Sequence, residues 1–237
     1  MPRPTLLAVS HGTSDRDGAR AIADLVAAVA ARLPDVEVRA AFVDVQQPDA
    51  VDALAAVDGP VVVVPLLLSR GFHVHHDLHG MVEGRADAVV TAPLGPDPRL
   101  TAVLAERLPA STGAPVVLVI AGSRDPRSRD DAEGMAALLA EQLDRRVELA
   151  YLAARQPDLP TALAAHPDAV VSTYLLARGY FFDLAERQAA GREISLPLLD
   201  GGSVPTALVD LVVDRYENAT TAVAHLPPGG PMSSRIT

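Results

Sequence analysis

The sequence predicts an α/β protein made of two tandem doubly wound parallel-sheet halves related by internal duplication. Three observations predict it. Short apolar runs alternate with amphipathic runs along the chain, the pattern of strand–helix crossovers. The run from Val61 to Leu68 is apolar without interruption, as a central parallel strand covered on both faces requires. The order of elements then restarts after a stretch rich in small residues and proline, Pro109 to Pro115, with matching residues at matching places.

Taken in order, Thr5 to Ser10 reads as a buried strand, and Arg16 to Leu33 as a helix with Ile22, Leu25, Val26 and Val29 on one face. Val36 to Val43 is a second strand. Pro48 to Val57 is a short helix with a proline in its first turn. After the central strand come a short helix near Leu78 to Glu83, a strand at Ala88 to Ala92 and a helix from Pro98 to Leu108. In the second half, Val116 to Ala121 is a strand, Arg127 to Leu143 a helix, Arg146 to Leu152 a strand and Leu159 to Ala165 a short helix. Ala169 to Leu176 is the long apolar strand, Ile194 to Leu198 a further strand, and Thr206 to Tyr216 the closing helix. The expected divisions are an N-terminal half, 1–112, a C-terminal half, 113–226, and a Pro-, Gly- and Ser-rich flexible tail, 227–237.

The restart is legible residue by residue. Leu7 to Asp15 aligns with Val117 to Asp125, and Gln47-Pro-Asp49 with Gln156-Pro-Asp158. Leu67-Leu-Ser-Arg-Gly-Phe72 aligns with Leu175-Leu-Ala-Arg-Gly-Tyr180, and Ala92-Pro-Leu94 with Leu196-Pro-Leu198. One such block could arise by chance in Ala- and Leu-rich sequence, but four in order, each at a strand end, indicate duplication.

Composition narrows the function classes. Apolar residues make up 49% of the 237, enough for a substantial core. The 20 basic residues are all arginine, and with 30 acidic residues the formal charge is −10, which argues against nucleic acid as the main partner. With no cysteine, thiolate metal sites, iron–sulfur clusters and cysteine nucleophiles are excluded. The apolar start stops too early for a signal-peptide core, and no run approaches a membrane span, so a soluble cytoplasmic protein is the default expectation. Neither a dinucleotide fingerprint, nor a phosphate loop, nor a G-x-S-x-G elbow occurs.

Duplication permits a comparison within one chain. Residues needed only for the fold should survive in both copies, whereas residues needed for chemistry can survive in one. His11 stands where the second copy has Ala121, Asp44 where it has Ala153, and His73 where it has Phe181, while Gly12 and Gly122 agree. All three polar residues sit at predicted carboxyl ends of parallel strands, where ligands bind in open α/β sheets. Two imidazoles and a carboxylate suit a first-row divalent ion with positions left open, and equally suit proton transfer near neutral pH. His75, His76 and His79 form either a metal-binding extension or a solvated helix start. Arg70 and Arg178 agree in both copies, which favours holding a loop carboxylate, with binding of an anionic ligand by Arg70 as the other reading.

At these residues the sequence resembles the class II tetrapyrrole chelatases, the sirohydrochlorin cobalto- and ferrochelatases of the small cobaltochelatase type, in a two-half form with a degenerate C-terminal half. The resemblance rests on Ser10-His11-Gly12-Thr13, on Phe42-Val43-Asp44, on Pro65 to Leu68 and on Gly71 to Asp77, and it covers residues 5 to about 200. It implies a chelatase-like, flavodoxin-like fold and insertion of a divalent metal into sirohydrochlorin. It implies His11 and His73 as catalytic residues and His11, Asp44 and His73 as metal ligands, Asp44 being one methylene shorter than the family's glutamate. Ser10, Gly12, Thr13, Leu66, Arg70, Gly71 and Phe72 are the expected substrate-binding residues. Leu66, Leu67 and Phe72 would wall the flat ring, and the amides of Gly12 and Thr13 would meet its peripheral carboxylates. His75 would extend a path to solvent. Because the chain is itself acidic, local arginines such as Arg16 and Arg70 must hold an anionic substrate. The expected partners are a tetrapyrrole and Co²⁺, Fe²⁺ or Ni²⁺ as substrate, with no tightly bound cofactor, no nucleic acid, no membrane and a monomeric state. A metal or tetrapyrrole carrier on the same fold is the alternative class.

Overall fold

The first half of the computed structural model runs β1 (Thr5–Ser10), α1 (Arg16–Arg32), β2 (Val38–Phe42), α2 (Ala50–Ala55), β3 (Val61–Pro65), α3 (His79–Val82), β4 (Ala88–Val90) and α4 (Pro98–Arg107). The second runs β5 (Val116–Ile120), α5 (Pro126–Leu143), β6 (Val147–Tyr151), α6 (Leu159–Ala165), β7 (Val170–Tyr174), α7 (Tyr180–Gln188) and α8 (Thr206–Val223). The structure describes residues 3–71, 78–109 and 113–223, so the tail expected at 227–237 and residues 110–112 at the boundary lie outside the described residues.

Both sheets are parallel, in the orders β2-β1-β3-β4 and β6-β5-β7, so the second repeats the first three positions of the first. Aspartates start five of the helices, α1, α2, α4, α5 and α6. Asp15, Asp49, Asp97, Asp125 and Asp158 each accept a hydrogen bond from a first-turn backbone N–H, satisfying a donor that has no partner within the helix. Pro48 precedes the Asp49 cap rather than sitting in the first turn of α2, as the sequence pattern had predicted.

Alternation along the strands sorts side chains into three cores. Leu6, Ala8, Val62 and Val64 of one sheet and Val116, Leu118 and Ile120 of the other enter a single core shared by both halves. Leu7, Val9, Val61 and Val63 face the outer layer of the first half, and Val117 and Val119 that of the second. The closing helices exchange sides. Helix α8 packs on α1, α4 and β3, and Tyr216 donates to the carbonyl of Pro4 at 2.7 Å. Helix α4 packs on α5 and β7, and Arg107 pairs with Asp200. The repeat boundary in sequence therefore does not divide the packing, because each repeat's last helix covers the other sheet.

Two elements differ from expectation. Ile194 to Leu198 is not a strand but a single bridge, Val171 to Ile194. Pro197 has no N–H to continue a ladder, and Ser195 binds Thr173 through both its hydroxyl and its carbonyl, each at 3.0 Å. Helix α7 fills a stretch to which the sequence pattern assigns no element. Its buried stripe, Phe182, Ala185 and Ala189, is helical in spacing, but the aromatic cluster at its start obscured it.

Candidate active site between the two halves

The carboxyl ends of β1, β3, β5 and β7 face one another across a cleft of about 580 Å³. The duplication is visible in its rims. Gly12 and Gly122 adopt positive φ values of 93° and 88°, and a Cβ on either would strike the carbonyl oxygen of Asp44 or Ala153, so only glycine fits. The amide of Asp44 donates to the His11 carbonyl at 3.0 Å, as that of Ala153 does to Ala121 at 2.9 Å. Val45 and Ala154 share the same left-handed backbone, with φ of 64° and 66°. That conformation therefore belongs to the repeated loop rather than to copy-one chemistry.

On this common frame the copy-one side chains stand out. His11, at the end of β1, is exposed and lines the cleft, opposite the apolar surface of the second half. Ser10 beside it is only 2% exposed, and its hydroxyl has no hydrogen-bond partner among the described residues. A buried hydroxyl in that state marks a place where a polar ligand atom can dock. Its counterpart is Ile120, so this too is confined to copy one. Asp44 is exposed at the end of the β2 loop, and one of its carboxylate oxygens accepts from the Val45 amide at 2.7 Å. Val45 rather than Asp44 lines the cleft. Leu66, Leu67 and Gly71 also line it.

His73 and Phe72, like His75, His76 and Asp77, lie outside the described residues. Among the described residues no three His, Asp or Glu side chains gather into a metal-binding group. His79 is exposed at the start of α3.

Two expectations change. The Thr13 amide donates to the Gln46 side-chain carbonyl at 2.9 Å, and the Thr13 hydroxyl accepts from the Asp15 amide at 3.1 Å. The Thr13 N–H is thus engaged within the loop. Arg70, expected to touch substrate, closes on Asp131 of α5. Its amide and its Nη2 donate at 2.6 Å, and its Nε at 3.0 Å, to a carboxylate whose side chain is 4% exposed. This is the loop-carboxylate reading of Arg70, and it clamps the halves together. Asp131 itself was missed, although the comparison that exposed His11 would have found it, because its counterpart is Ala21. A second tie crosses nearby. The buried Tyr174 hydroxyl donates to the Leu68 carbonyl at 3.0 Å, and burial first, then the charges of Asp131 and Asp97, push its deprotonation far above the ordinary tyrosine range. Tyr174 is a fixed donor, not an acid.

The CbiX family model matches residues 5–111 and 115–194. A sirohydrochlorin cobaltochelatase of Methanococcoides burtonii is 29% identical over 77 residues, which cover 31% of this chain and 59% of that protein. The match thus spans about three-fifths of that curated relative's length. The structure of SirB from Bacillus subtilis with Fe³⁺ superposes with a TM-score of 0.74 at 21% identity, covering 92% of this chain and 98% of that one. A cobalt complex of the sirohydrochlorin chelatase SirB from Bacillus subtilis subspecies spizizenii gives 0.74 at 22%, covering 91% and 96%. CbiX, described as the terminal enzyme of sirohaem biosynthesis in denitrifying bacteria, gives 0.64 at 22%, covering 89% and 98%. At these identities the solved structures establish the tandem fold.

Proposed function

This chain belongs to the CbiX family, and on that premise we propose that it is a sirohydrochlorin chelatase, a lyase that inserts Co²⁺ or Fe²⁺ into the tetrapyrrole. The observation that carries the reading is His11 at the carboxyl end of β1, facing a mostly apolar cleft of about 580 Å³, at a position where the duplicated half has alanine. Insertion requires that two pyrrole N–H protons leave, that the ion lose water, and that it reach one face of the ring.

His11 offers an imidazole that can hold the ion or accept a pyrrole proton near neutral pH. His73 is its partner in this proposal, and Asp44 adds negative charge beside them, orienting an imidazole or a metal-bound water. The Ser10 hydroxyl, without a hydrogen-bond partner among the described residues, can hold a ring nitrogen or a water displaced from the ion. Leu66, Leu67, Leu175 and Phe182 supply apolar walls from both halves, which exclude water from the ring faces. The metal is a substrate, held by imidazole and carboxylate loosely enough to be given away, and no resident cofactor takes part. The protein acts as a cytoplasmic monomer, since one chain supplies both walls. Among the described residues no helix is long and apolar enough to cross a membrane.

The test mixes the protein with sirohydrochlorin and Co²⁺ or Fe²⁺ and follows the absorbance change of metal insertion. Acceleration over the uncatalysed rate supports the reading. Binding of metal or ring without acceleration overturns it in favour of a carrier.

A further inference from the structure

Around the cleft the contacts between the halves repeat pairwise, and the repeat fails at Asp131. Gly71 packs 3.5 Å from the Ser123 hydroxyl, measured from where a Cβ would stand, and its counterpart Gly179 packs 2.7 Å from the Thr13 hydroxyl. Ser123 and Thr13 are themselves counterparts, so the loop after β3 meets the α5 end as the loop after β7 meets the α1 end. By this symmetry Arg178 should hold the residue equivalent to Asp131. That residue is Ala21, buried in α1.

Arg178 consequently has no carboxylate partner among the described residues. Its guanidinium carbon lies 4.8 Å from the centre of the Phe182 ring, and the residue is half-buried on the cleft wall. Among the described residues lining the cleft there is no Asp or Glu, and the basic groups are Arg178 and His11 alone. A chain with a formal charge of −10 would repel a polycarboxylate ligand at long range. Among the described residues lining the cleft, the one group able to make a charge-assisted, two-pronged bond to a carboxylate is Arg178.

We propose that Arg178, contributed by the half that lacks the histidines, is the specificity residue that binds a peripheral carboxylate of the tetrapyrrole. The inference rests on the chelatase reading for its substrate class. With alanine at position 21, the arginine that would otherwise clamp the interface is left to anchor a ligand, which gives the degenerate half a defined task. Contact with the Phe182 ring restrains the guanidinium, so less side-chain freedom is lost when the carboxylate arrives. The second half thus fixes where the ring lies, while the first half acts on its centre.

The experiment measures metal-free binding of uroporphyrin, a flat polycarboxylate ring, by quenching of its fluorescence, together with KM and kcat for sirohydrochlorin in cobalt insertion. Wild type, Arg178→Gln, Arg178→Lys and the exposed control Arg20→Gln are compared. The expected result is a Kd for uroporphyrin raised about tenfold in Arg178→Gln, the loss of one charged pair at ~1.4 kcal/mol, with partial recovery in Arg178→Lys and no change in the control. The wild-type affinity should fall with added salt. In turnover, KM should rise with kcat within about twofold, as expected when uniform binding is lost. A uroporphyrin Kd for Arg178→Gln within about twofold of wild type overturns the proposal, as does a fall in kcat at unchanged KM. Because the binding arm contains no metal, it decides the role of Arg178 even if wild-type protein fails to insert cobalt, which would instead sink the chelatase reading.

Discussion

Replacing Arg70 by alanine tests whether that residue clamps the halves or binds substrate. In wild type the Asp131 side chain, 4% exposed, accepts three close donors from Arg70, two of them on the guanidinium. Removing one partner of a fully buried pair typically costs about 3–5 kcal/mol. The Arg70 side chain is 45% exposed, so solvent screens part of the attraction, and its amide survives the substitution to hold one carboxylate oxygen. A loss of about 2–3 kcal/mol is therefore expected. At roughly 2–4 °C per kcal/mol for a protein of this size, that lowers the midpoint of thermal unfolding by about 4–12 °C. Circular dichroism melts of Arg70→Ala, Asp131→Ala and the double variant measure it. The double variant should be less destabilised than the sum of the two, with a coupling of at least ~1 kcal/mol. An unchanged melting midpoint in Arg70→Ala together with a raised KM for sirohydrochlorin would refute the reasoning and return Arg70 to the substrate.

Further outcomes follow from the same geometry. Gly12→Ala places a Cβ on the Asp44 carbonyl at a positive φ and should destabilise by about 2–4 kcal/mol, with a similar loss for Gly122→Ala, as read by urea unfolding. Tyr174→Phe leaves the Leu68 carbonyl without its donor and should cost about 1–2 kcal/mol in the same assay. Burial tends to raise the Asp97 carboxyl, but the hydrogen bonds and charge of Arg99, with the charge of Arg215, hold it below the usual range. Its contribution is present above an unfolded value of about 4 and is lost as pH falls through the lower folded value. Asp97→Asn should therefore cost about 1–2 kcal/mol near neutrality and progressively less below about pH 4. A gap that stays constant on acidification would contradict this.

Much of the fold was legible because the signals are local. Eight-residue apolar continuity at Val61 to Leu68, the amphipathic spacing of α1 and the repeated Gln-Pro-Asp each report their own element. The missing strand at Ile194 was not legible, because Ser195 replaces a ladder bond by a side-chain bond that no periodicity shows. Nor was the exchange of α4 and α8, which depends on which sheet a helix meets after a loop. At the site, comparing the copies singled out His11 because a strand-end position is specified by sequence alone. The same comparison could have found Asp131 against Ala21, but both lie inside helices, where a single polar residue looks like a solvated face. The Gln46 side chain's return to the Thr13 amide from the next loop is a contact no linear pattern reports.

The central claim is that chemistry resides in the copy-one histidines, and it is tested most directly by the rate of cobalt insertion into sirohydrochlorin by His11→Ala. His11 is exposed at the end of β1, so its truncation leaves the core intact. The rate should fall by about 10²–10⁴-fold, the usual worth of a positioned acid–base group, with the thermal midpoint unchanged. A rate within about threefold of wild type from a folded His11→Ala protein would contradict the account.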